Sequence, residues 1–452
     1  MKCIEDEIPF EVSEGWEWCR VRDVASVKGG KRLPKGMSFS LYKTSHAYIR
    51  VTDMKNHTIN TDDLKYISED VFLKLKNYTI SKDDLYVTIA GTIGVTGEVP
   101  AELDGMNLTE NAAKVTNIQI NKSFLCLLLQ SEFVQQQFKG KTHQVAMPKL
   151  ALERILSTLI PVCSTETQIA IVKRFWKIDQ LIGLISKEKD ELTDTVSKTK
   201  SKILDLAIRG QLVPQDPNDE TASVLLEHIR AEKEKLIKQG KIKRDKKESI
   251  IFKGEDNSYY EKMADGKLYC LDDQLPFELP EGWEWCNLSM IGTTNIGLTY
   301  HPTDIKSNGI MVLRSCNIVN DKIDLSDLVR VETTIRENQF AQKNDILICA
   351  RNGSKALVGK CALIPSLEEP ASFGAFMAIY RTEYFSYIVH YLRSDFFRSI
   401  FDDGNSTTIN QLTQEMLKRA IVPFPPLTEQ HRIVAAIEAA LHELNRIEKS
   451  LT

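Results

Sequence analysis

The residues that could carry catalysis are few and poorly spaced. Gly140-Lys141-Thr142 is the sole Gly-Lys-Thr, but a phosphate-cradling loop also needs glycine at position 135, where Gln135 stands. Pro425-Pro426, between Phe424 and Leu427, lacks the Asn or Asp and the aromatic ring that amino-methyltransferases place around a flipped base. The eight histidines include no His-x-x-x-His pair, and none sits beside two cysteines at metal-ligand spacing. The nine cysteines are odd in number and contain no Cys-x-x-Cys, so zinc-ribbon and redox-dithiol chemistry lack their spacing. The chain is therefore expected to be non-catalytic, with no catalytic, cofactor-binding or metal-binding residue of its own.

The 452 residues are 42% hydrophobic and 27% charged, the composition of a globular protein of two or three domains. The net charge of −4 gives no bulk argument for nucleic acid, so any such face must come from local arrangement. No run of about 18 apolar residues exists, and the acidic start has no apolar core of a secretory signal, so a cytoplasmic protein is expected.

An internal repeat organises the chain. Residues 3–19 read CIEDEIPFEVSEGWEWC and residues 270–286 read CLDDQLPFELPEGWEWC, with eleven of seventeen positions identical at an offset of 267. Weaker echoes follow in order. Tyr48-Ile49-Arg50 matches Val312-Leu313-Arg314, and the strand-like segments 84–90 and 345–351 each lead into glycine-containing turns. Helical stretches follow over 123–138 and 384–401, then polar loops over 141–149 and 405–411. Between these anchors the copies diverge, which suggests one scaffold presenting two different surfaces. The paired tryptophans, Trp16/Trp18 and Trp283/Trp285, read as an extended segment packing its rings on the unit's own core.

A second repeat follows each unit. Steps of four and three from Ile171 reach Phe175, Ile178, Ile182, Ile185, Lys189, Leu192, Val196, Thr199, Ile203 and Leu206, with nine of eleven apolar. The same steps reach Ile433, Ile437, Ala440, Leu444, Ile447 and Leu451, all apolar, at an offset of 262. A 4–3 seam is the pattern of a coiled coil, because about 3.5 residues per turn keep one stripe facing a partner helix. From Ile171 to Leu206 such a helix rises about 54 Å, the length of about 16 base pairs of B-DNA. After Arg209-Gly210 the helix stops. A further helix is expected over 221–239, running into a basic segment, with a polar linker over 248–269.

Three segments carry a family resemblance. They are the openings PFEVSEGWEW and PFELPEGWEW, the run from Arg209 through Gly-Gln-Leu-Val-Pro-Gln-Asp-Pro-Asn-Asp-Glu to Arg230, and Pro423-Phe-Pro-Pro-Leu-Thr-Glu-Gln before an apolar helix. The chain resembles, over nearly its whole length, the DNA specificity subunit of type I restriction–modification systems. The resemblance implies α/β (α+β) target recognition domains, two copies in a pseudo-two-fold arrangement, joined by long antiparallel coiled-coil helices. The implied order is recognition domain 1 over 1–165, a central helical spacer over 166–247, the linker over 248–269, recognition domain 2 over 270–428, and a distal helix over 429–452. That last helix is short beside the first, so the rod is expected to be incompletely paired.

By the same resemblance each domain reads half of a split sequence in double-stranded DNA, and the helices dock two modification subunits. S-adenosylmethionine, ATP and Mg²⁺ belong to partner subunits, the restriction subunits among them. Arg and Lys reach guanine or phosphate, and Asn and Gln pair with adenine. The DNA-contact candidates of the first copy are Lys28, Lys31, Arg32, Lys35, Arg50, Lys55, Lys141, His143, Gln144 and Lys149. Those of the second are Arg314, Arg351, Asn352, Lys355, Asn405, Thr407, Thr408, Asn410 and Gln411. Arg50 and Arg314 rank first, since both follow a strand at matching places. The coil interface is expected to use Ile178, Ile182, Ile185, Leu192, Val196, Ile203, Leu206, Ile437, Leu444 and Ile447. The competing reading is a non-catalytic coiled-coil scaffold joining two protein-binding domains, which leaves the divergent Arg, Lys, Asn and Gln loops unexplained.

Overall fold

Each opening motif becomes an edge of structure in the same way. In the computed structural model, which describes residues 7–139, 149–240, 242, 244, 249–399 and 411–451, Glu17–Arg20 pairs antiparallel with Leu159–Val162, and Trp18 lies opposite Pro161. In the second copy Glu284–Asn287 pairs with Ile421–Phe424, and Trp285 lies opposite Pro423. Each of these tryptophans sits in an aromatic triad. Phe10, Trp18 and Phe133 have ring centroids 5.0–5.6 Å apart, and Phe277, Trp285 and Phe396 repeat the arrangement at 5.1–6.3 Å. Core packing by these rings is what their period of two implies.

The chain divides into two units, Met1–Ser186 and Lys187–Thr452. The first holds a four-stranded sheet in the order Ser26–Gly29, Ala112–Thr116, Leu85–Thr88, Thr96–Glu98. The second holds its counterpart, Thr293–Ile296, Met377–Arg381, Ile346–Cys349, Cys361–Leu363. Leu85–Thr88 and Ile346–Cys349 are buried at every position, which is why they read as continuous apolar runs rather than alternating ones. A second sheet in each unit contains a parallel pair, Ala47–Ile49 with Met106–Leu108 and Ile305–Leu313 with Ala371–Phe373. The sheets are crossed closely by backbone. A Cβ on Gly30 would collide with the Thr109 carbonyl, and one on the equivalent Gly297 with the Gly374 carbonyl.

The helical stretches expected over 123–138 and 384–401 are each interrupted once. Lys122–Gln130 and Glu132–Lys139 are separated by Ser131, and Phe385–Arg393 and Asp395–Ser399 by Ser394. The serine hydroxyl bonds the carbonyl three residues back, Leu128 in one case and Tyr391 in the other, and competes with the helical ladder.

The expected linker over 248–269 is instead structured. Ser249–Lys253, Tyr259–Met263 and Leu268–Cys270 form an antiparallel sheet, with turns at Asn257 and Gly266, both at positive φ. Its polar composition conceals one buried anchor, Ile251, which joins Leu271 against Trp285.

The long helix Thr165–Ile208 is unbroken over 44 residues, and Leu427–Leu451 is the shorter distal helix. Within the second unit the two run antiparallel. Lys200 meets Glu448 at 2.7 Å, while Gln215 and Asp219, further along the first strand of chain, meet Glu429 and Arg432. Of the expected coil residues, Val196 and Ile437 are buried, Ile203, Leu206 and Leu444 half-buried, and Ile178, Ile182, Ile185, Leu192 and Ile447 exposed. The exposed ones have no covering helix among the described residues.

Candidate nucleic-acid interface

The same backbone hydrogen bonds build one edge of both units. Ile89 and Ala90 N–H both donate to the Asn111 carbonyl, and Ala350 and Arg351 N–H both donate to the Phe376 carbonyl. Leu150 N–H then closes on the Ile89 carbonyl, and Leu412 N–H on the Ala350 carbonyl, each at 2.8 Å. The scaffold is thus identical where the side chains are not.

In the first unit this edge carries Lys31, Arg32 and Lys149. Arg32 Nε lies 3.2 Å from a Glu110 carboxylate oxygen, and Lys149 Nζ donates to the Glu110 carbonyl at 3.3 Å. The Lys31 ammonium stands over the Tyr78 ring. Tyr48 donates to the Lys31 carbonyl at 2.7 Å, and burial, opposed by a hydrogen bond to Thr109, pushes its phenol up to about 12, so it stays a donor. Lys28 and Lys35 are exposed nearby in sequence. Lys141, His143 and Gln144 lie outside the described residues.

In the second unit the edge carries Arg351, Asn352 and Gln411. The Arg351 guanidinium stands 5.5 Å from the centre of the Phe376 ring, and Arg351 bridges to Gln411 in extended pairing. Asn352 donates to Ser315 Oγ at 3.4 Å and accepts from Ser354 N–H at 3.0 Å. Lys355 is exposed in the same loop. Asn405, Thr407, Thr408 and Asn410 lie outside the described residues. Phe376 escaped the sequence reading. The residue is 61% exposed beside an arginine, and the Gly374-Ala375-Phe376 turn was its one signal.

Arg50 and Arg314, ranked first from the sequence, occupy another place and share a different task. Arg50 caps a short helical turn, and its guanidinium holds the buried Asp53 at 2.6 Å and reaches the Asp63 carbonyl at 2.7 Å. Arg314 caps the matching turn and bonds Asp327 at 2.9 Å, again thirteen residues on. Each arginine fastens a loop whose hairpin, Asn56-His57 or Asn320-Asp321, turns through two positive-φ residues. The bonds to Asp53 raise the Arg50 pKa from its ordinary value. Lys55 is exposed on that hairpin.

The segment from Arg209 that looked most diagnostic forms a latch within the second unit. Gly210, at φ +67°, ends the long helix against Pro280 and Trp283. Asp219 pairs with Arg432 at 2.6 Å and also accepts from Thr428. Among the described residues no cluster of three or more His, Cys, Asp or Glu is arranged to hold a metal, and no helix is long and apolar enough to cross a membrane.

A scaffold repeated with constant backbone and changed polar side chains at one edge defines a two-domain recognition protein with a helical spacer. The chain belongs to the family described as type I restriction modification DNA specificity domain, whose model matches residues 13–194 and 280–452. The specificity subunit of the Escherichia coli type I restriction enzyme EcoAI is 25% identical over 507 aligned residues, covering 98% of this chain and 80% of that protein. The EcoEI specificity subunit of Escherichia coli is 32% identical over 272 residues, covering 57% and 41%. In structure the chain is similar to the HsdS subunit of Thermoanaerobacter tengcongensis, with a TM-score of 0.56 at 16% identity over 99% of this chain and 94% of that one. A chain from a type I restriction–modification assembly gives a TM-score of 0.60, also at 16% identity, over 98% and 94%. These likenesses show a common fold.

Proposed function

We propose that the chain is the sequence-reading subunit of a type I restriction–modification complex, in which each unit reads one half of a bipartite DNA target. The observation that carries this is the shared edge. Identical backbone bonds present Lys31, Arg32 and Lys149 in one unit and Arg351, Asn352, Phe376 and Gln411 in the other. Arg pairs with guanine or phosphate, and amide side chains pair with adenine, so the two edges suit different base sequences. The helices dock two modification subunits that bind S-adenosylmethionine and methylate adenine in the cytoplasm. Restriction subunits that use ATP and Mg²⁺ complete the assembly. This chain contributes recognition and spacing, and no chemical step.

The test is a methylation map. The chain is expressed with its modification subunit in a methylation-free host, and the DNA is sequenced for modified adenine. A two-part motif with a fixed gap is expected. A stable complex that modifies no motif would overturn the reading.

A further inference from the structure

In the first unit the loop from Lys31 to Lys43 ends in a tip that the fold leaves bare. Its inner apolar residues, Leu33, Met37 and Phe39, pack on the cluster that holds Tyr48, Val71 and Leu75, with the Phe39 ring 5.5 Å from that of Tyr48. Leu41 and Tyr42 do not pack. They are 94% and 80% exposed, more than any other large apolar residue among those described. Single apolar residues scattered over a surface need no account, but an adjacent pair standing clear of the fold has no task inside it.

The tip is pinned at both ends. Ser40 N–H donates to the Tyr66 carbonyl at 2.7 Å, and Thr44 Oγ1 donates to the Ile67 carbonyl at 2.7 Å. Between them Tyr42 N–H donates to Ser40 Oγ at 3.1 Å, a side-chain turn that fixes the backbone. Behind it His46 stacks on Phe72 with ring centroids 3.9 Å apart and meets Glu69 at 2.6 Å. The second unit builds this segment differently. Past Gly297, the counterpart of Gly30, Leu298 is buried, Tyr300 packs beside Val312, and Ile305 is held opposite Val331 in strand pairing.

Charge selects the partner. Residues 31–43 carry Lys31, Arg32, Lys35 and Lys43 and no acidic residue. The neighbouring carboxylates Glu110 and Glu69 are engaged by Arg32 and His46. A cationic loop with an apolar tip suits a polyanion whose interior is a stack of flat rings. Lys31 and Arg32 open this loop on the edge assigned to DNA in the proposed function. On that reading, we propose that Leu41 inserts between two base pairs of the first half-site and opens the stack, and that Tyr42 stacks on the base so uncovered. The step that Leu41 enters is then selected by how easily it unstacks, which favours a pyrimidine–purine step. The first half-site thereby gains a preference that its Lys and Arg contacts do not supply.

The experiment uses the full chain with its modification subunit, on the duplex motif that the methylation map returns, with 2-aminopurine replacing one base at a time. Fluorescence is expected to rise on binding at one step of the first half-site, away from the adenine that is methylated. The double variant Leu41→Ala, Tyr42→Ala is expected to lose that rise, to lose discrimination at that step, and to weaken cognate binding about tenfold. At saturating protein, signals at the methylated adenine and in the second half-site should match the parent, which separates a lost wedge from lost binding. Leu41→Phe keeps an apolar wedge and should keep the rise. Both side chains stand clear of the fold, so thermal unfolding of the variants should match the parent. A complex that modifies its motif, yet unstacks no base in a way that depends on residues 41 and 42, would overturn the proposal. So would variants that bind the duplex normally but no longer co-purify with the modification subunit, since the tip would then be a protein contact. A complex that modifies no motif would instead overturn the recognition reading on which the proposal rests.

Discussion

The indole Nε1–H of Trp283 donates to Glu429 Oε2 at 2.9 Å inside the second unit, and both residues are buried. The bond ties the opening motif of that copy to the first turn of the distal helix. Burial raises the Glu429 pKa from its ordinary value, and the hydrogen bonds from Trp283 and Gln215 work against that rise. Glu429→Ala leaves the indole N–H without an acceptor. It should cost about 1–3 kcal/mol in urea unfolding of the full chain. Thr167→Ala, at the equivalent and exposed place in the first copy, should change stability by less than about 0.5 kcal/mol.

The shared edge makes half-site effects separable. Arg351→Ala should weaken binding to the second half-site by about 1–3 kcal/mol and leave the first unchanged. Arg32→Ala should do the reverse. Phe376→Ala, which removes the ring under the Arg351 guanidinium, should reproduce part of the Arg351 loss. Fluorescence anisotropy with duplexes altered in one half-site at a time is the measurement, and equal losses at both halves would count against independent reading.

Arg50→Ala should act through stability. Asp53 is buried and keeps Arg50 as its ionic partner, so the variant leaves a buried carboxylate with the residue-50 backbone N–H but no cation, at a cost of about 1–3 kcal/mol. Arg50→Lys retains the charge but not the fork, and should recover part of that loss. Thermal unfolding would show it. Unchanged stability with lost half-site recognition would instead make Arg50 a DNA contact.

His390 gives the second unit an acid sensitivity. Burial, aided by Arg393, lowers its pKa from 6.5 to about 3, so the folded chain holds it neutral. Its contribution is fully present above the unfolded pKa and declines as pH falls from about 6.5 towards 3, because the unfolded chain binds the proton more readily. The slope from one such group is at most about 1.4 kcal/mol per pH unit. Urea unfolding of His390→Gln at stepped pH should show a shallower decline than the parent.

Much of the architecture was legible because burial and repetition leave marks on residue order. The two openings, the central strands 84–90 and 345–351, and the 4–3 seams are local patterns set by periods of two and 3.5. The family followed from runs of residues, such as the one beginning at Arg209, that recur as text whatever their role. What that run does was not legible. Gly210 and Asp219 act through Trp283 and Arg432, far away in sequence, and only folding brings them together. The short sheet within 249–270 was hidden for a like reason, since its one deep anchor, Ile251, is buried by Trp285 from another segment. Arg50 and Arg351 carry the same guanidinium and both follow a strand. One is spent on Asp53 and the other is presented beside an exposed ring, and that difference lies in neighbours that only the tertiary structure supplies. Residue type and spacing determined which elements form and that they form twice. Through-space contact decided which polar side chains remain available for a partner, because an arginine held by a buried carboxylate, as Arg50 is by Asp53, has less left to offer outside than Arg32, whose pairing with Glu110 leaves it exposed.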